Sequence, residues 1–555
     1  MKVKDKSIRL TDLVKFLKKE GDFLFWKNII FMAVVSGIAN AGLLAIINKA
    51  SESSTNETLN YEYFAIYIII FLIFYIAKKF SMIGSSNEVE RIIKNTRSRI
   101  SNKIKNSNLT TMESLDKAIV FTRLTRDTNL MSQSATELIS ATQSVIMVFF
   151  ALIYIFILSK TMFVLISCAL LIGGGLYYFF ASETQADLYK ANKIEDDFFN
   201  SMQSVINGFK ELKINRKKSD SVSQKHNDIL EDLSTVKVSL SSKFITGMMF
   251  TETFLYILLG TIVFVVPHLV SDESTLIIQV TAAMLFIIGP LDNIIYVLPM
   301  ASKTTLAINN LEELENHLDK NKSEVYKPTN KTIENFNQFD TIKLENLSFN
   351  YEKLKHNNDF CLAPINFNIN RSEILFVIGN NGSGKSTFIK LLLGLYFPQK
   401  GNIRIKNTIV DEFNYEAYRN LFSIILPDFH IFNELHGLDD VDEDLINELL
   451  IEMKLFDKTR YLNGKFTNLD LSTGQKKRLA LIVSILDDKP IFVFDEWASD
   501  QDPEFRKYFY KVILPRLKES GKTIIAVTHD DAYFDCCDRL IQMDKGELKI
   551  VKDIN

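Results

Sequence analysis

The sequence predicts two unlike halves. An all-α domain of six membrane-crossing helices occupies residues 1–310. A polar linker covers 311–340, and a soluble α/β domain covers 341–555. Three observations carry this reading. Six apolar runs long enough to cross a bilayer all fall before residue 300. Lys and Arg concentrate in alternate connecting segments. After residue 370 a glycine-rich loop ending in Lys-Ser lies between a short apolar strand and an apolar helix. The near-average totals, 47% hydrophobic and 24% charged with a net charge of −3, are the mean of these halves. They exclude intrinsic disorder and collagen and offer no basic face for nucleic acid. Cys168, Cys361, Cys536 and Cys537 are too few and too badly spaced for a disulfide framework or a zinc cluster.

The apolar runs cover about 28–48, 63–80, 143–159, 161–181, 244–268 and 275–299. Helices are expected, because lipid offers no partners to an open backbone. Residues 1–27 carry eight Lys/Arg, 81–142 nine and 182–243 ten. The short loops between carry Lys49, Lys160 and otherwise the acids Glu52, Glu57, Glu62, Asp272 and Glu273. The basic segments belong in the cytoplasm, which puts both termini there. A competing reading makes the first run a signal peptide cut near Ala39-Asn40-Ala41; its continuation to Ile47 and the long leading segment favour an uncleaved anchor. The two long polar segments keep helical spacing, so the spans extend as hairpins with tips near 106–126 and 207–220. At the second tip, Gly208-Phe209-Lys210-Glu211-Leu212-Lys213 mixes apolar and basic residues, as docking onto another domain requires. Glu252 and Asp292 sit inside spans, where charge marks a functional site by default; pairing with a neighbouring helix or with water is weighed slightly ahead of substrate contact. Pro290 beside Gly289 predicts a kink in the last span.

In the second half, Ile374–Ile378 reads as a buried strand. Gly379, Asn380, Asn381, Gly382, Ser383, Gly384, Lys385, Ser386 and Thr387 follow, then a helix through Leu395. Glycines let backbone amides approach phosphate, and the helix N-terminus favours its charge. Lys385 would reach the β- and γ-phosphates and Ser386 would ligate Mg²⁺. This makes the half an α/β P-loop nucleotide-binding domain. The strand Ile491–Phe494 ends in Asp495, a second Mg²⁺ ligand, and Glu496, placed as general base for an attacking water. The strand Thr523–Val527 leads to Thr528 and His529, which can hydrogen-bond a γ-phosphate; a lone histidine is more often structural. Ser472, Thr473, Gly474 and Gln475 open a helix and make a second anion site.

These four elements, in the chain order phosphate loop, Ser472–Gln475, Asp495-Glu496 and His529, resemble the ATP-binding cassette (ABC) transporters. The resemblance covers the whole chain, since six spans fused ahead of one cassette is the exporter half-transporter plan, and it implies a type I exporter fold. It implies that Tyr351, after Leu347-Ser348-Phe349, stacks on adenine; the plainer alternative is a surface tyrosine. It implies that Asp502 closes the loop after the catalytic Glu and couples two sites, and that the hairpin tips are coupling helices. Two departures stand out. Thr473 replaces the usual signature glycine, and Pro427 stands where a glutamine normally follows the central strand, leaving Asp428 next door as a substitute oxygen ligand. Leu471–Ala480, Trp497 after Glu496, Thr528-His529-Asp530-Asp531 with Tyr533-Phe534, Asp428-Phe429-His430 and Gly208–Leu212 are similar to the bacterial cyclic-peptide exporter branch. That branch includes exporters associated with syringomycin, pyoverdine precursors and microcin J25.

The resemblance implies a homodimer with two ATPs. Each would lie between Lys385, Ser386, Asp495 and Glu496 of one subunit and Ser472 and Gly474 of the other. The expected activity is ATP-driven export of a peptide, whether a cyclic peptide, a microcin or a siderophore-peptide precursor, across the bacterial inner membrane. Export of a lipid or amphipathic drug, and a membrane-anchored signalling ATPase, are the alternatives. An importer is disfavoured because importers usually carry the cassette on a separate chain. With 27 residues ahead of the first span, no N-terminal cysteine protease domain is expected. The expected partners are membrane lipid and the peptide, without nucleic acid; a periplasmic or outer-membrane partner is left open.

Overall fold

The computed structural model describes residues 23–53, 61–265, 274–319, 336–351, 360–438 and 441–553. The basic segment before Phe23, the acids Glu57, Asp272 and Glu273, the end of the fifth apolar run and most of the expected linker lie outside the described residues. The chain divides into two compact units. One holds the residues up to 102 with 117–316; the other holds 103–116 with 317–555.

The first unit is helical. Its long helices are α1 (Phe23–Ser53), α2 (Tyr61–Lys105), α5 (Thr128–Leu158), α6 (Lys160–Asn207), α8 (Arg216–Gly260) and α9 (Ser274–Asp319). At 1.5 Å per residue a 45-residue helix such as α2 is about 68 Å long, roughly twice the thickness of a bilayer core. The polar stretches therefore continue the apolar helices rather than forming separate elements. Among the described residues five stretches are long and apolar enough to cross a membrane, and Lys160–Gly175 is a further, shorter apolar stretch. Ser159 alone separates α5 from α6. It leaves helical geometry (φ −155°, ψ 120°), and its side chain accepts from the Met162 amide to cap α6. Short helices stand at the expected tips: α4 (Lys117–Thr122) and α7 (Phe209–Ile214) in this unit, and α3 (Leu109–Ser114), which belongs to the second. Asn215 caps α8 by accepting from the Lys218 amide at 3.1 Å.

Polar side chains within the apolar stretches find each other, as a water-free surround demands. Asn48 donates to the Tyr154 hydroxyl (2.9 Å) and the Gln279 carbonyl (3.2 Å). Gln143 donates to Ser81 (2.9 Å), and Asn293 to both Ser140 and Ser144 (2.9 Å each). Asp292 lies within electrostatic reach of Glu252, and its buried Oδ1 has no hydrogen-bond partner among the described residues. The helix α9 passes through Gly289 and Pro290 without ending and continues to Asp319, inside the stretch expected as linker. Its apolar positions Ala307, Ile308, Leu311 and Leu314 recur at helical spacing and are buried, and Glu315 pairs with Arg99 at 2.8 Å.

In the second unit, a six-stranded sheet has the order β12-β11-β3-β10-β9-β6. Its strands are β3 (Ile374–Gly379), β6 (Phe422–Ile425), β9 (Ile491–Asp495), β10 (Thr523–Val527), β11 (Arg539–Asp544) and β12 (Glu547–Asp553). All pairings are parallel except β11 with β12. A four-stranded antiparallel sheet, in the order β2-β1-β4-β5, is built from β1 (Thr341–Asn350), β2 (Cys361–Asn370), β4 (Lys400–Ile405) and β5 (Thr408–Ile409). Alternation along β3 feeds two cores. Leu375 and Val377 join Phe339, Ile342, Phe367 and Phe388 on one face; Ile374 and Phe376 join Leu479, Phe494, Trp497 and Phe509 on the other.

Close packing in the helical unit is testable at Gly37 in α1. A Cβ there would stand 2.6 Å from Ile146 Cγ2 and 3.1 Å from Phe150 Cδ2 of α5, whereas one at Gly174 would meet nothing within 4 Å. Gly37→Ala is expected to lower the thermal unfolding midpoint of detergent-solubilised protein, through overpacking of ~1–3 kcal/mol, while Gly174→Ala leaves it in place.

Candidate functional site

The site is built where β3, β9 and β10 end. β3 is apolar on both faces and stops at Gly379, whose φ of +150° brings its backbone against β11; a Cβ would stand 2.3 Å from the Met543 carbonyl oxygen. Gly384 (φ +103°) passes beneath Phe360, where a Cβ would meet the ring at 2.6 Å. These two positions exclude side chains, so the loop from Gly379 to Gly384 presents backbone. The helix α10 (Lys385–Leu392) then begins. The Lys385 ammonium folds across the loop and donates to the carbonyls of Gly379 (2.7 Å) and Asn380 (3.2 Å). Ser383 Oγ is buried without a hydrogen-bond partner among the described residues, Ser386 is exposed, and Thr387 is buried. A buried cation, an orphaned hydroxyl and a helix N-terminus form a cradle suited to phosphate.

Parallel register brings the other strand ends level with it. Val527 of β10 pairs with both Val377 of β3 and Asp495 of β9. Asp495 is 4% exposed. Burial pushes its carboxyl up to about 6, the neighbouring Glu496 adds to this, and Lys385, then Lys477 and Lys390, pull it back. The buried Asp495 carboxylate and the exposed Ser386 hydroxyl are both oxygen donors, the kind a hard divalent cation takes. Glu496 turns sharply into the left-handed region (φ 50°, ψ 36°), and its amide donates to the Val527 carbonyl at 3.1 Å. The turn sets its carboxylate 3.4 Å from His529 Nε2, so this expected pair is together. Asp428 lies on the exposed loop beyond β6, whose Ile425 pairs with Phe494.

Ser472 caps a 14-residue helix, α13 (Thr473–Leu486), through a reciprocal box with Gln475. Each backbone amide donates to the other's side chain, at 3.0 and 3.4 Å. Gln475 is thus occupied by the cap, while Ser472 and Thr473 stay exposed. Gly474 is confined: a Cβ would stand 2.5 Å from the Asp500 carbonyl oxygen. Among the described residues no hydrogen bond joins residues 472–475 to the phosphate loop. Asp502 caps α14 (Pro503–Tyr508), accepting from the Phe505 amide at 2.8 Å, and pairs with Arg478; these contacts hold its carboxyl below the usual aspartate range.

Tyr351 is tied in more firmly than its expected stacking role required. Its hydroxyl lies 3.1 Å from Thr387 Oγ1 and 3.5 Å from the Tyr396 hydroxyl, and its ring stands edge-on to Phe349. The chain of contacts runs on to α3: Glu113 accepts from the Tyr396 hydroxyl at 2.5 Å and from Lys390 at 2.7 Å. Burial, reinforced by Glu113, raises the Tyr396 phenol well above its usual range. Composition and spacing do not single out Glu113, Lys390, Tyr396 or Lys477, whose contacts join residues distant in sequence. Only the position of Glu113 inside a hairpin tip could have pointed to it.

Residues 362–499 match the family model for ABC transporters. The chain is 30% identical over 542 residues, 94% of its length and 93% of the relative's, to the ATP-binding protein SyrD of Pseudomonas syringae pv. syringae. It is 33% identical over 228 residues to the energy-coupling factor transporter ATP-binding protein EcfA of Malacoplasma penetrans (strain HF-2), covering 39% of this chain and 77% of that protein. The fold is similar to that of a bacterial Atm1-family ABC exporter solved with ATP bound. The TM-score is 0.75 at 14% identity, over 97% of this chain and 95% of that one.

The raised carboxyl of Asp495 makes a signed prediction. Its value near 6 lies above the usual 3.8, so the native chain keeps a proton that the unfolded chain sheds. Its contribution to stability is therefore greatest below about pH 4 and falls as pH rises through about 6, by roughly 2–3 kcal/mol. Without nucleotide or Mg²⁺, Asp495→Asn is expected to raise the thermal midpoint at about pH 7.5, with the gain shrinking toward about pH 4.

Proposed function

The chain belongs to the ABC transporter family, ATP hydrolases that couple hydrolysis to transport across a membrane, and we propose that it exports a peptide across the bacterial inner membrane. The cargo is a cyclic peptide, a microcin or a siderophore-peptide precursor. The observation that carries export is similarity to SyrD along 94% of the chain, spans and cassette together. The peptide class is supported by the likeness of the cassette motifs around Ser472, Trp497 and His529 to the cyclic-peptide exporter branch. The basic connecting segments favour a multi-pass arrangement with both termini and the cassette cytoplasmic.

In this reading two copies form two composite sites. The amides of residues 379–384 and Lys385 hold the phosphates of one ATP, and Tyr351 stacks on adenine. Ser472 and Gly474 of the second copy close over the γ-phosphate. Mg²⁺, held by Ser386 and Asp495 with Asp428 as a further oxygen donor, would neutralise charge on the transferred phosphoryl group. Glu496 takes a proton from the attacking water, and His529, 3.4 Å away, steadies Glu496 and reaches the γ-phosphate. A hydrogen bond from the phosphate-loop helix to the first tip, Lys390 to Glu113, lets nucleotide-dependent movement of α10 be felt in the segment that joins two membrane-crossing helices.

Inverted membrane vesicles containing the full-length protein test the function. ATP-dependent accumulation of a labelled cyclic peptide is expected, abolished in Glu496→Gln. Accumulation of lipid or drug instead would move the assignment to those cargoes. Hydrolysis with no accumulation of any of them would favour a signalling ATPase. Glu496→Gln itself is expected to bind ATP normally while losing hydrolysis, and to trap the dimer. Normal turnover would remove Glu496 from the role of base.

A further inference from the structure

We propose that Lys477 is a positioning residue for Glu496. It holds the backbone of the general base from within the helix that begins at Ser472. The proposal rests on the reading of Glu496 as base given above.

Lys477 is 3% exposed, on the second turn of α13. An ammonium in such a place is tolerated only when its donors are met. It has three, and three acceptors receive them: the Glu496 carbonyl at 2.7 Å, Ser499 Oγ at 3.3 Å and Asp500 Oδ2 at 2.6 Å. All three belong to the single turn that follows β9. Here Glu496 adopts φ 50°, a left-handed conformation that a side-chain-bearing residue keeps only where its surroundings over-determine it. Lys477 supplies that constraint together with the Ser499 hydroxyl, which donates to the same carbonyl at 2.7 Å and is itself held by Lys477. With the Glu496 carbonyl drawn to Lys477 and the amide to Val527, the peptide planes on both sides of its Cα are fixed, and the carboxylate is left beside His529.

The link is reinforced around Lys477. Trp497 Nε1 donates to the Lys477 carbonyl at 2.8 Å, and its ring stacks on Phe509 at 4.2 Å. Gln501 Nε2 donates to the Gly474 carbonyl at 3.0 Å, and Gln501 Oε1 accepts from Arg478 Nε at 2.8 Å. The first turns of α13 and residues 496–502 are thus one hydrogen-bonded block. In the dimer reading, Ser472 and Gly474 serve the partner's ATP while Glu496 serves its own. Lys477 therefore makes engagement of one site and alignment of the base at the other a single event within each subunit.

The test measures ATP hydrolysis and ATP binding by full-length protein in lipid vesicles. Lys477→Met is expected to lower kcat by about 10- to 100-fold with KM for ATP within about 2-fold, the pattern of a misaligned base with binding intact. Lys477→Gln, whose amide can still donate to the Glu496 carbonyl, is expected to recover most of kcat. Should Lys477→Met fail to fold, Lys477→Met/Asp500→Asn removes both charges together and is expected to show the same kcat loss. Wild-type kcat in the folded Met variant, or a loss of ATP binding that matches the loss of turnover, overturns the proposal. Glu496→Gln, measured in parallel, separates the two readings. If it hydrolyses ATP, the base is misassigned; if it is inactive and Lys477→Met turns over normally, only the positioning role fails.

Discussion

Strand register in the parallel sheet is the constraint on which the site depends. Val377, Val527 and Asp495 lie level across β3, β10 and β9, so the chain leaves all three strands at one edge. The phosphate loop, the Asp495-Glu496 pair and Thr528-His529 are each the first polar residues after an apolar strand. Slipping β9 by one residue would turn Asp495 toward the opposite core and bring Phe494 to the edge. The register is held because β3, β9 and β10 are buried on both faces, between two separate hydrophobic cores.

Assembling charge at such an edge carries a desolvation cost, and the fold meets it unequally. Lys385 and Lys477 are both buried, and the chain satisfies them with its own carbonyls, hydroxyl and carboxylate. Asp495 is buried as deeply, and its carboxyl rises to about 6 because the lysines only partly offset burial and the neighbouring Glu496. Ser383 Oγ is also left without a partner among the described residues. The cations are served internally, and the oxygens keep capacity. That asymmetry is what a site for an anion and its metal requires: lysines fixed in place beforehand, and oxygen donors whose best partner arrives with the ligand.

Much of this was legible in sequence where the determinant is local. The phosphate loop, the apolar strands and the acids that end them are contiguous, so spacing alone places them. The apolar runs and the alternating basic segments likewise place the long helices. The rest depends on contacts between distant residues. Lys477 reads as one more surface lysine in a Lys-Lys-Arg run until Glu496 folds onto it, and Glu113 is 277 residues from Lys390. The end of α9 lies beyond the expected boundary for a different reason. Polar composition suggested linker from 311, but Leu311 and Leu314 keep the helical period, and burial of that stripe carries the helix on to Asp319. Gly289 and Pro290 lie inside α9, with helix on both sides long enough to absorb one missing backbone donor.

The departure at Thr473 can be weighed by the same geometry. Of two adjacent small positions at the start of α13, Gly474 is the one the fold cannot relinquish, because any Cβ would run into the Asp500 carbonyl and push α13 away from the turn that carries Glu496. Thr473 is exposed and lies outside the Ser472–Gln475 box, so its methyl and hydroxyl disturb neither the cap nor the Lys477 link. Substitution has fallen on the position where the chain's own packing is indifferent. Any effect of Thr473 must therefore be exerted outward, on whatever the N-terminus of α13 meets. A hydroxyl there adds a donor and an acceptor beside the helix dipole rather than weakening it.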